Sequence, residues 1–189
     1  RKSLNINTIT ITGSAGKTSV KELTGFCLNK LEKTYSSKRS LNNKFGVPLS
    51  FFNMPETSKF SVLEAGMDKK GEIDYLTKLI KPNLGLITNI SYAHIKNFKN
   101  LNHIAKAKSE IIDNIVSGGT MVINMDDQYY KYFLKKSKNR GLKIMKYSKS
   151  NINADIIFLG KKKRKKGYLI KLKIKGCLLY TSDAADDQA

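Results

Sequence analysis

The chain has 189 residues, enough to bury one good core and, on length alone, to make one domain. No apolar run approaches the roughly 20 residues that span a bilayer, and no export signal is evident. With two cysteines, Cys27 and Cys177, there is no disulfide framework, so a cytoplasmic setting without integral membrane contact is expected. A formal charge of +20 raises the question of an anionic partner such as nucleic acid. Lysines on solvated helix faces, in a chain that uses lysine, asparagine and isoleucine freely, account for it better. The one true run, Lys161 to Lys166, lies where a hairpin turn falls, and no aromatic residue interleaves with it to stack bases, so no nucleic-acid partner is expected.

Strand-like and helix-like segments alternate from Ile6 to about Tyr147, the pattern of βαβ units around a parallel sheet. Asn7 to Thr12 is a β-branched strand that runs into a glycine-rich loop. Thr18 to Lys33 reads as a helix with Val20, Leu23, Leu28 and Leu31 apolar. Phe60 to Glu64 is a second strand. Glu72 to Ile80 is a helix with Ile73, Leu76, Leu79 and Ile80 on one face, closed by Pro82. Leu84 to Thr88 is a third strand. Leu101 to Val116 is a helix with Ile104, Ala107, Ile111 and Ile115 at helical spacing, stopped by Gly118 and Gly119. Met121 to Ile123, a helix from Asp126 to Lys138, and a short strand from Lys143 to Met145 follow. From Ala154 the period changes, and Asp155 to Leu159 with Tyr168 to Ile174 predict a small antiparallel β appendage.

Gly13-Ser14-Ala15-Gly16-Lys17-Thr18 lies between a strand and a helix, where backbone amides and the helix dipole hold polyphosphate. The glycines let the backbone approach phosphate oxygens, Lys17 can reach the β- and γ-phosphates, and the Thr18 hydroxyl can bind Mg²⁺. Ile11 stands where the longer G-x-x-x-x-G-K-T loop has its first glycine, which argues against GTPases, helicases and ordinary kinases.

The short loop resembles that of Mur ligases and folylpolyglutamate synthetases, and collinear matches favour the former. Asn42-Asn43-Lys44-Phe45-Gly46-Val47-Pro48 and Glu64 to Ile73, with its Gly71-Glu72-Ile73 ending, are similar to segments of the Mur branch that adds D-alanyl-D-alanine. So are Thr88 to His94, Ala107-Lys108-Ser109-Glu110-Ile111, and Asn124-Met125-Asp126-Asp127. The resemblance implies an α/β P-loop central domain, a mostly parallel sheet flanked by helices. It implies ATP held by Gly13, Ser14, Ala15, Gly16, Lys17, Thr18 and Ser19 with Asn124, and Mg²⁺ held by Thr18, Glu64, His94 and Lys108.

By itself His94 reads as an ordinary loop histidine, because a hard Mg²⁺ ion prefers oxygen; only the resemblance makes it a metal ligand paired with Glu64. Lys108 would by default be a solvated lysine. The family implies a carbamylated lysine there, since an ammonium has no lone pair to offer a metal, and Lys106 offers an alternative register. Lys17, Lys108 and His94 are thus the implied catalytic residues. The implied reaction is ATP-dependent amide formation through an acyl phosphate, joining D-alanyl-D-alanine to UDP-N-acetylmuramoyl-tripeptide, by an enzyme that is a monomer when full length. A folylpolyglutamate synthetase, whose loop usually ends Gly-Lys-Gly, and a basic nucleic-acid-binding P-loop protein are the rivals.

Residues 1–176 are expected to form part of the central domain, inactive alone. Residues 177–189 resemble the in-frame translation of a transposase sequencing adapter: lysine stops after Lys175 and an acidic, alanine-containing run replaces it. A tail of that origin should have nothing to pack against.

Overall fold

A computed structural model of the chain describes residues 6–39, 41–92, 98, 100–165 and 167–181, apart from the side chains of 180 and 181. The β-branched run Asn7–Thr12 forms β1, with parallel neighbours on both edges: β3 (Phe60–Glu64) and β4 (Leu84–Ile87). Outside β3 lies the short β2 (Thr34–Ser36), and outside β4 follow β5 (Thr120–Asn124) and β6 (Lys143–Ser148), all parallel. The chain leaves β1 toward β2 and β3 but leaves β4 toward β5, so the strand order reverses beside β1. Ligands gather at such a switch point, outside the carboxyl ends of the strands.

The helices alternate with these strands as α1 (Lys17–Leu28), α2 (Gly46–Phe52), α3 (Glu72–Ile80), α4 (Leu101–Lys108), α5 (Glu110–Asp113) and α6 (Tyr130–Asn139). Ile104, Ala107, Ile111 and Ile115 are all buried in one core with Leu63, Ile73, Leu76 and Met121. Each such isoleucine contributes about 1.5–3 kcal/mol relative to exposure.

Several boundaries and faces differ from the periodicity. The helix expected over 101–116 breaks at Ser109, whose hydroxyl bonds back to Lys106 O at 2.7 Å while Lys136 Nζ takes its carbonyl at 3.0 Å. In α1 the buried residues are Lys21 and Gly25, not the apolar positions; Leu23 is 65% exposed, and Leu31, beyond the helix end, is 75% exposed. The reason is contact with a polar wall, since Gly25 packs so closely on Ser36 that an added Cβ would lie 2.0 Å from its Oγ. α1 stops at Leu28 because Asn29 Oδ1 accepts from Thr34 N to start β2. Leu79 of α3 faces outward. Asp126 and Asp127 bond to turn amides, of Lys149 and Tyr129, which delays α6 to Tyr130.

The antiparallel segment is continuous with the main sheet. β7 (Ile156–Lys163) pairs in parallel with β6 through two residues and antiparallel with β8 (Tyr168–Ile174). Cys177–Thr181, expected to be without a partner, adds β9 antiparallel to β8. Its backbone pairs with an open edge while Leu178 and Leu179 stay about half exposed, so the strand forms without adding to the core. Residues 182–189 lie outside the described residues.

Candidate active site

Three strand ends converge where the sheet order reverses. β1 ends in the loop Gly13–Gly16, β3 ends on Glu64, and β4 opens into the segment from Thr88 to Tyr92. Gly13 is required where it stands: its φ is +146°, and a Cβ would fall 1.8 Å from Thr88 Oγ1. The loop is bolted to the neighbouring strand end. Asn89 accepts from Ser14 N through its carbonyl at 2.9 Å and from Ala15 N through Oδ1 at 3.0 Å. Thr88 donates its hydroxyl to Ala15 O, and the Ser14 hydroxyl exchanges hydrogen bonds with the Ser91 backbone. Sequence reasoning quoted Thr88 and Asn89 as motif letters and missed this role, because it depends on pairs more than 70 residues apart.

The amides of Ser14 and Ala15 are therefore occupied by Asn89, and anion binding falls to the start of α1. Gly16, in the left-handed conformation, caps that helix without a side-chain acceptor. The first-turn amides thus lack intrahelical partners and point, with the helix dipole, at the mouth of the site. Ser19 is exposed on this turn.

Lys17 and Lys108 meet on one atom. Lys17 Nζ donates to Gly13 O at 3.0 Å, and Lys108 Nζ, from α4, donates to the same oxygen at 2.9 Å. Lys108 is 1% exposed. Its burial, and next the positive charge of Lys17, push its pKa down from the ordinary 10.5 to about 7. Near neutrality its amine is therefore substantially uncharged and nucleophilic. Lys106 belongs to the exposed face of α4, so the register that sends Lys108 into the site is the one the fold adopts.

Glu64, 1% exposed, is held by two neutral donors. The Thr18 hydroxyl donates to Oε2 and the Asn42 side-chain amide to Oε1, each at 3.0 Å. A carboxylate kept in place without a cation in either bond, beside a hydroxyl, is an all-oxygen donor pair suited to Mg²⁺. The hydroxyl and carboxylate named from the sequence are thus brought together. Among the described residues no group of three or more histidine, cysteine, aspartate or glutamate side chains is gathered for a metal. His94 lies outside the described residues. Asn124 closes β5, but its Oδ1 accepts from Asp126 N and no hydrogen bond joins it to the phosphate loop.

Beside Lys17 opens a cavity of about 760 Å³, lined among others by Asn42, Lys44, Phe45, Lys69 and Tyr75. Its floor is anchored by Glu110, which accepts from Gly71 N and Asp74 N at the start of α3; burial raises its carboxyl pKa. The chain on either side of Ser109 therefore sends Lys108 to the phosphate loop and Glu110 to the amides of Gly71 and Asp74, the first of which lines the cavity.

Lys108 also makes folding pH-dependent. The unfolded chain, with the ordinary pKa of 10.5, binds more protons than the folded chain between about 7 and 10.5, so stability rises with pH across that window and the gain is lost as pH falls through about 7. Denaturant midpoints of the chain and of Lys108→Met, in carbon-dioxide-free buffer, should diverge in favour of lysine between about pH 7 and about pH 10. A difference that does not change with pH would contradict the buried uncharged amine.

The strand order, the glycine loop and the helix start define an α/β domain with an open helix N-terminus at the switch point of its sheet. The Mur ligase middle domain matches residues 11–177, and the chain belongs to that family, whose members are ATP-dependent. It is 39% identical over 142 residues to the UDP-N-acetylmuramoyl-tripeptide--D-alanyl-D-alanine ligase of Buchnera aphidicola subsp. Acyrthosiphon pisum, covering 75% of this chain and 31% of the relative. It is 41% identical over 135 residues to the enzyme of the same name from Buchnera aphidicola subsp. Baizongia pistaciae, covering 71% and 29%. The crystal structure of MurF from Acinetobacter baumannii superimposes with a TM-score of 0.86 at 27% identity, over 95% of this chain and 38% of that one. The chain thus spans about a third of the length of the curated relatives it matches.

Proposed function

We propose that the chain is the ATP-binding part of a ligase that joins D-alanyl-D-alanine to UDP-N-acetylmuramoyl-tripeptide, as the names of its relatives state for them. The observation that carries this is the convergence of Lys17 and Lys108 on Gly13 O beside a lysine-rimmed cavity. Four lysines against two carboxylates, Asp68 and Glu72, leave the lining with an excess of positive charge, which suits a substrate carboxylate next to a phosphate loop.

ATP supplies the phosphoryl group; the substrate carboxylate takes it as an acyl phosphate, and the amine then displaces phosphate. Lys17 leaves Gly13 O to neutralise the phosphate oxygens, and the first turn of α1 orients them. Gly13, Ser14, Ala15 and Gly16 shape the loop, Ser19 stands on the first turn of α1, and Asn124, at the end of β5, is a nucleotide contact by family resemblance. Thr18 and Glu64 would hold Mg²⁺, together with His94 and Lys108, supplying charge neutralisation at the transferred group. Lys108 meets that task as a carbamate: the lone pair of its uncharged amine forms a bond to the carbon of carbon dioxide and one proton leaves the nitrogen, so a neutral amine becomes an anion. Burial, which keeps the amine uncharged, supports this.

A cytoplasmic, monomeric enzyme goes with this reading; among the described residues no helix is long and apolar enough to cross a membrane. We also assign residues 177–189 to a tail foreign to the domain, supported by the change of composition after Lys175 and by the family match ending at residue 177.

The experiment is ADP release by the full-length protein. It should require both UDP-N-acetylmuramoyl-tripeptide and D-alanyl-D-alanine. Turnover with a folate and glutamate instead, or salt-sensitive duplex binding without ligase activity, would refute the assignment.

A further inference from the structure

Lys21 is the most deeply buried cation of the chain's phosphate-binding helix, at 0% exposure, one turn beyond Lys17 and Thr18. Its ammonium donates to Ser37 O at 2.6 Å and Arg39 O at 2.7 Å, and it lies 3.0 Å from the Glu22 carboxylate. Three acceptors match the three protons of an ammonium, the condition under which a buried charge is tolerated. Packing alone does not call for this group, since an apolar side chain of similar length would fill the same space without desolvating a charge.

The two carbonyls belong to the segment between β2 and α2. Arg39 there adopts a left-handed backbone, φ +50°, and Leu41 N closes a turn on Lys38 O. The chain next reaches Asn42, whose amide holds Glu64 Oε1 and whose carbonyl accepts from Gly66 N at 2.8 Å. Gly66 allows that approach, because a Cβ would lie 2.8 Å from Asn42 Oδ1. Asn43 then caps α2 through Phe45 N and Gly46 N, which sets Lys44 and Phe45 in the cavity wall. α1 consequently grips Glu64 twice: through the Thr18 hydroxyl on Oε2, and through Lys21, the pinned segment and Asn42 on Oε1.

We infer that Lys21 is a positioning residue for the metal-binding carboxylate, acting through the segment it pins and through Asn42. This rests on the assignment of Glu64 as a Mg²⁺ ligand proposed above. Supports of this kind, one step removed from a metal ligand, change metal affinity by about 10–100-fold when removed.

The test is Lys21→Met in the full-length protein, read in three ways. The Mg²⁺ concentration for half-maximal ADP release should rise about 10–100-fold. Hydrogen exchange at the Gly66 amide should accelerate while that of the β5 amides is unchanged. Combined with Asn42→Ala, the double variant should be no weaker for Mg²⁺ than the worse single variant, because both cut the same path. An unchanged Mg²⁺ requirement, acceleration spread evenly over the sheet, or fully additive effects would each overturn the inference. Should Lys21→Met fail to fold, Lys21→Gln and Asn42→Ala decide it by the same exchange and Mg²⁺ measurements. Glu64→Gln separates the two claims: if it leaves the Mg²⁺ requirement unchanged, the metal assignment fails, while the Gly66 exchange still decides whether Lys21 holds Asn42 in place.

Discussion

Lys17→Ala in the full-length enzyme is expected to lower ADP release by at least a factor of about 100, with the fold intact. Lys17 is the flexible cation of the loop. Its present partner is a backbone carbonyl, a bond that water replaces at little cost when the side chain is shortened. In the proposed reaction its work would lie instead in the transition state, where charge spreads over the transferred phosphoryl oxygens and a point charge in a sheltered site stabilises it. The loss should therefore fall on kcat and kcat/KM together, with little change in thermal stability. Turnover close to that of the parent enzyme would remove Lys17 from the phosphate site.

Lys108→Ala should be nearly as damaging, by about a hundredfold, but with a different signature. The substitution deletes a buried group that anchors α4 to Gly13 O and leaves a space open to a small anion. If Lys108 works as a carbamate, a short-chain carboxylic acid supplied in solution offers the missing oxygens and restores part of the activity. Full activity without the acid would reduce Lys108 to a lysine that merely packs. A loss that no acid repairs, at every chain length tried, would point to the amine itself and against the carbamate.

Much of this site is local in sequence. The loop from Gly13 to Thr18 carries its own turn chemistry and precedes a helix, so strand, loop and helix order could be read directly, and Glu64 and His94 fall at the strand edge from which the loop projects; Lys108, on a helix, reads as a solvated lysine and enters the site only through the family resemblance. The parallel sheet was legible for the same reason, through apolar strands separated by helices. What escaped was set by distant contacts. α2 carries Pro48 in its first turn, which reads as a breaker although a proline there costs no hydrogen bond. The exposed Leu23 shows that amphipathic spacing failed in α1, where a buried lysine and a glycine, Lys21 and Gly25, make the inner face, and Leu31 falls beyond the helix end. Asn42 and Asn89 were visible only as letters in motifs; what each holds depends on which strand ends meet.

The sheet has a seam. Between β6 and β7 only Tyr147↔Ile156 and Ser148↔Ile157 are paired, with Asp155 clamping both sides by accepting from Lys146 N and Lys175 N. Every other joint, except the three-residue edge β2 and β4–β5, has at least four rungs. Pulling on the C-terminal end would load this joint in series with a β7–β8 pairing seven rungs long. β7 and β8, with β9 on their edge, are therefore expected to part from the body together, read as faster hydrogen exchange across the β6–β7 joint than at the amides around Gly13, Glu64 and Lys108. A sheet that is continuous in hydrogen bonding can thus still carry a weak line, set where the paired stretch is two residues long and side-chain and loop hydrogen bonds supply the rest of the connection.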